Sequence, residues 1–143
     1  MFILINLNRR IASPTSNRLS RGQSLVELAL LLPLLIVILI GILDLGRFFE
    51  GYVALTNAAR EGARYAIDYP ADTTGIKNRT VSEVSGSLPN FTIYNVTVNA
   101  ASGTDPGNPI TVAVSYPFPL ITTYLFGGLQ NIPINTSATM QIE

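Results

Sequence analysis

The sequence predicts an α+β fold: a long N-terminal membrane-spanning helix that continues outward and packs on a small antiparallel sheet of three to four strands. Three observations carry this expectation. Residues 28–43, "LALLLPLLIVILIGIL", are 16 residues without a charge. From Asp44 to Asp68 apolar residues recur at steps of three and four, with no proline before Pro70. Beyond residue 90 the period becomes two, with β-branched residues between Gly, Pro and Asn loops.

Charge is distributed unevenly along the 143 residues, although the formal total is zero. Arg9, Arg10, Arg18 and Arg21 precede Gly22 with no acid among them, which makes residues 1–22 a basic leader. From Gln23 onward five basic residues face nine acidic ones, a balance of −4. No basic face exists for nucleic acid, and none is expected as a partner. The chain has no Cys and no His, so it has no disulfide framework, thiolate metal site or Ser-His-Asp chemistry. Asp68, Asp72, Glu83 and Asp105 are too scattered for a calcium loop. The expectation is a non-enzymatic protein without cofactor or metal.

A bilayer core requires roughly 20 helical residues. The run from Leu28 to Leu43 reaches that length when Leu25, Val26 and Leu45 are added, so the transmembrane part spans about 25–45, with Glu27 and Asp44 at its edges. A buried soluble helix fits less well, because Pro33 and Gly41 interrupt the run. A cleaved secretory signal explains the arginines but not Glu27, and "DLGRFFEGY" offers no small-x-small site. Arginines on the N-terminal side put the N-terminus in the cytoplasm and everything after Asp44 outside the cell membrane.

The helix should continue to Asp68, giving one rod over 23–68 of about 70 Å at 1.5 Å per residue. Phe48, Tyr52, Leu55, Ala59, Gly62 and Ala66 share a face. Charges stand at partner spacings: Asp44 with Arg47, Arg47 with Glu50, Glu61 with Arg64, Arg64 with Asp68. Ala58, Ala59, Gly62, Ala63 and Ala66 form a small-residue strip that lets another backbone approach closely. Residues 69–90 read as a linker, Pro- and Gly-bearing at 69–78, with a short helix around Val81–Leu88.

Residues 91–143 form the sheet domain. Strands are expected over 91–100, 110–118 and 134–143, with 101–109 as a hairpin loop. Ile110, Val112, Val114, Tyr116 and Phe118 lie on one side of the second, and Ile134, Thr136, Ala138, Met140 and Ile142 on one side of the third. Residues 117–130, "PFPLITTYLFGGLQ", fit neither period; they either pack over the sheet edge or expose an apolar patch.

Gly22, Gln23 and Ser24 begin a nucleophile-elbow pattern but lack its second glycine. Asn78, Asn90, Asn95 and Asn135 open N-x-[ST] triplets, which leaves glycosylation open. Gly22 and Glu27 remain. A glycine lets the chain extend into a protease cleft. Cutting after it creates an α-amine at Gln23, which could pair with Glu27 of a neighbouring helix and set the stagger between subunits. The plain alternative is that Glu27 reaches the lipid headgroups.

"RGQSLVELALLLP" resembles the processing site of class III-type prepilins: basic residues, Gly, Glu five residues after the cut, then an apolar helix. "LDLGRFF…ALTNAAREGARYA", "VAVSYPFPLIT" and "SATMQIE" resemble TadE-like proteins of the Tad/Flp tight-adherence pilus system. The resemblance implies a pilin- or pseudopilin-like fold and a single-pass precursor in the cell membrane. A prepilin peptidase would cut it between Gly22 and Gln23, and Glu27 would make the assembly contact. It further implies membrane lipid, other pilin or pseudopilin subunits and a pilus assembly platform as partners, in adhesion, surface colonisation or secretion. The competing reading is an uncleaved single-span membrane protein with an extracytoplasmic binding domain.

Overall fold

Helix α1 runs from Asn17 to Asp68 and passes through Pro33 without a break. The computed structural model describes residues 17–84, 86–123, 127 and 131–143, with side chains from Gly22 onward. Arg9 and Arg10 of the basic leader, and Tyr124, Leu125 and Phe126 of the apolar connection, lie outside the described residues. The helix therefore begins ahead of Gln23, the start read from the sequence.

The chain divides into two units, residues up to Ile38 and Leu39–Glu143. In the first, every described residue from Gly22 onward is exposed, including the apolar side chains of Leu28 to Ile38. A helix apolar all round with no protein cover is suited to lipid. The helix is long and apolar enough to cross a membrane.

The second unit combines the remainder of α1 with helix α2 (Thr73–Val84), a 3-10 turn (Ile93–Asn95) and strands β1 (Val96–Asn99), β2 (Pro109–Pro119) and β3 (Asn131–Gln141). The strands form one antiparallel sheet in the order β1-β2-β3. Val96 pairs with Val114, and Val114 in turn with Thr136. The α+β class read from the sequence is thus observed. On β2 the expected alternation appears residue for residue: Ile110, Val112, Val114, Tyr116 and Phe118 are all buried. They meet Leu55, Ala58, Ala59, Ala63 and Ala66 of α1 in a single core. On β3, Ile134 is buried and Ala138 and Met140 pack at the margin, and Ile142, just past the strand's end, is buried too.

The small-residue strip is where helices and sheet come closest. A Cβ added to Gly62 would collide with Thr80 Oγ1 of α2 and stand 3.3 Å from Val112 Cγ1 of the sheet. Gly62→Ala is therefore expected to destabilise this unit by about 1–3 kcal/mol through overpacking, against a helix-propensity gain of about 1 kcal/mol. Adding Thr80→Ala should recover part of the loss, because the colliding oxygen is gone. A double-mutant cycle by chemical denaturation in detergent checks this; additive losses would contradict it.

Several local expectations differ from the structure, each for a physical reason. Residues 73–78 are the first half of α2, not linker, and the helix stops at Val84, short of Leu88. Asp72 caps its start: the Gly75 amide donates to Asp72 Oδ1 at 2.9 Å. Tyr65 donates its hydroxyl to Asp72 Oδ2 at 3.1 Å, which ties the end of α1 to this cap. The weak helix formers Thr-Thr-Gly are then overridden by burial of Ile76, Thr80 and Val84, one turn apart. Strand β1 starts only at Val96. Asn95 Oδ1 accepts from the Thr92 amide at 2.9 Å, and Asn95 Nδ2 donates to Ser115 O at 3.0 Å. These side-chain bonds replace the strand ladder. Tyr52 leaves the expected buried face and is 44% exposed. Gly51 takes that place against Leu88, Ile134 and Phe118. Glu61 pairs with Arg79 of α2 at 2.6 Å instead of with Arg64. Both partners are partly exposed, so the exchange concerns geometry more than stability.

Tyr116 donates its hydroxyl to Pro89 O at 2.8 Å from an almost fully buried position. Burial pushes its phenol above the ordinary value of 10.0, and the nearby Arg47 charge partly opposes this. A raised phenol favours the neutral folded state. Its contribution is complete below the ordinary tyrosine value and is lost as pH rises through the raised one. The unit should therefore loosen in alkali above about pH 10, and Tyr116→Phe should weaken that dependence while costing about 1 kcal/mol at neutral pH. Unfolding followed by circular dichroism across pH checks both.

Candidate functional site

Two boundaries of the apolar run carry the chemistry, one in each unit. At the first, Gly22, Gln23 and Glu27 are all exposed on α1. Gln23 and Glu27 are four residues apart and share a helix face. Gln23 Nε2 donates to Glu27 Oε1 at 3.1 Å. A Cβ on Gly22 would meet nothing within 4 Å. Among the described residues no packing requires the glycine, and a helical glycine costs about 1 kcal/mol relative to alanine. Leu28 to Leu43 follow, exposed throughout except for the half-buried Ile40.

At the second boundary stands Asp44, 4% exposed. It accepts the backbone amides of Ile121 and Thr122 at 2.9 Å each. Arg47 Nη1 lies 3.3 Å from Asp44 Oδ1. The same guanidinium reaches Pro119 O at 3.5 Å and sits 5.1 Å above the Phe118 ring. Phe48 meets Phe118 edge to face at 5.6 Å. Sequence reasoning placed Asp44 at the edge of the span and paired it with Arg47, but missed its bonds to the β2–β3 connection. Those amides are 77 and 78 residues away, and no local period signals them.

The sheet face opposite the core carries small, mostly polar residues: Thr97, Ala113, Ser115, Asn135, Ser137 and Thr139 are half-buried or exposed. Thr111 and Thr139 hydroxyls bridge β2 and β3 at 2.8 Å. Among the four N-x-[ST] asparagines, Asn78, Asn90 and Asn135 are exposed, and Asn95 is engaged with Ser115. Among the described residues no three acids gather into a cation cage.

Comparison with known proteins finds a family match. The family model described as TadE-like protein matches residues 22–64, from the exposed glycine through the alanine strip of α1. The match stops short of α2 and the sheet, so the likeness of "VAVSYPFPLIT" and "SATMQIE" to the family lies outside it. No curated protein and no solved structure matches the chain. The segment that opens at Gly22 and continues through a membrane-length helix is thus similar to TadE-like proteins over residues 22–64.

Proposed function

We propose that this chain is a pseudopilin of a Tad/Flp-type pilus: a membrane-anchored structural subunit, cut by a prepilin peptidase between Gly22 and Gln23. The observation that carries the reading is Gly22 with Glu27 at the mouth of an uncovered apolar helix, where the family match begins. Among the described residues of the uncut chain, Glu27 accepts from the neutral amide of Gln23. Hydrolysis of the Gly22–Gln23 bond leaves a protonated α-amine on Gln23. In a low-dielectric filament core that cation and the Glu27 carboxylate of an adjacent subunit neutralise each other, and the pairing sets register. The Arg-rich leader holds the N-terminus in the cytoplasm, so the sheet domain is extracytoplasmic. Other pilin-like subunits and the assembly platform are its protein partners, lipid surrounds it before assembly, and the role needs neither catalysis nor a cofactor.

The test is mass spectrometry of the protein from membranes and from sheared filaments. A mature chain beginning at Gln23 supports the reading; full-length chain alone, in cells with an active peptidase, refutes it. The polar outer sheet face favours a second reading, an uncut single-span protein whose sheet binds an external ligand.

A further inference from the structure

We propose that the Asp44 clamp seats the start of the β2–β3 connection, Leu120 to Thr122, in the headgroup–acyl boundary of the bilayer at the C-terminal end of the apolar run. The partner is a lipid surface. The inference rests on the membrane-spanning reading of α1 but not on pilus assembly or on orientation.

Continuity of the helix makes the argument. Asp44 follows the last residue of the uncharged run directly. At a rise of about 1.5 Å per residue it cannot lie far from the edge of the hydrocarbon. Whatever is bonded to Asp44 shares that depth. The amides of Ile121 and Thr122 are bonded to it, at 2.9 Å each. Leu120 and Ile121 are only half-buried by protein. On α1, around Asp44 in the chain, Ile42, Leu43 and Leu45 are at least 60% exposed. This apolar surface is joined covalently to the lipid-suited run, which identifies its cover.

The charge pattern agrees. A free carboxylate is unfavourable at the hydrocarbon edge. Asp44 is instead enclosed, with two amides and Arg47 as partners. Arg47 keeps 42% of its side chain exposed, on a stem able to reach the headgroup level. The clamp thus presents apolar groups and one cation to the boundary and hides its anion.

The chain has no tryptophan, so a single introduced one reports alone. Full-length protein carrying Ile121→Trp is placed in phosphatidylcholine vesicles brominated either near the headgroup or near the chain ends. The bonds to Asp44 come from backbone, so this substitution leaves them in place; Leu120→Trp serves if Ile121→Trp does not fold. Leu35→Trp reports the span. Ser102→Trp, in the exposed turn at the opposite end of β2, reports solvent. The expected result is strong quenching at residue 121 by the shallow bromines, weaker quenching by the deep ones, deep quenching at 35 and none at 102. Adding Asp44→Asn or Asp44→Ala should drop the signal at residue 121 toward the level at 102. An unquenched 121 beside a quenched 35 overturns the proposal, as does a signal at 121 that ignores Asp44. An unquenched 35 overturns the spanning reading itself and the proposal with it.

Discussion

Asp44→Ala is expected to destabilise the unit formed by Leu39–Glu143 by about 3–5 kcal/mol, the largest loss from any single side chain outside the apolar core. Two backbone amides at the turn out of β2 lose a charged acceptor at 2.9 Å. Each buried donor left unpaired costs roughly 1–3 kcal/mol. Loss of the Arg47 pairing adds little, because Arg47 is 42% exposed and water replaces its partner. Asp44→Asn keeps one acceptor oxygen and should fall between alanine and the native chain. Denaturant titration in detergent, followed by circular dichroism, measures all three. A loss below about 1 kcal/mol for alanine would mean that water satisfies the amides and the clamp is not a structural lock.

Glu27→Ala should leave the protein inserted, folded and cut, yet depleted from filaments by at least about tenfold, since removing one partner leaves the other charge unpaired in a low-dielectric core. Glu27 is exposed in the single chain and, among the described residues, bonded to Gln23, so its removal should disturb no packing there. Quantitative blotting of sheared filaments against membranes separates insertion from assembly. Equal filament content in mutant and native cells would remove the assembly role of Glu27 and favour the uncut binding protein. Glu27→Asp should be intermediate, because the charge remains on a shorter stem.

Much of this protein could be read without coordinates, where one period or one short window held the information. The apolar run needed only composition. The buried face of β2 needed only alternation, and Ile110 through Phe118 follow it in full. The alanine strip needed only its small side chains, and it lies where α1 meets the sheet. Helix α2 was legible only in part, because Asp72 reads equally as a turn residue and as a helix cap. The choice between them depends on Tyr65 and on the core that receives Ile76, Thr80 and Val84.

What the residues determined by themselves is the order of parts: basic leader, glycine, acid, membrane-length helix, small-residue strip, alternating strands. Each follows from side-chain hydrophobicity, volume or charge along a local period. What only the tertiary structure decided is which distant groups meet. Glu61 takes Arg79 rather than its helical neighbour Arg64, and Asp44 takes amides from the far end of β2. Those choices are set by how α2 and the sheet dock on α1. Hydrogen bonds and ion pairs depend on angstrom-scale distances that no spacing along the chain encodes.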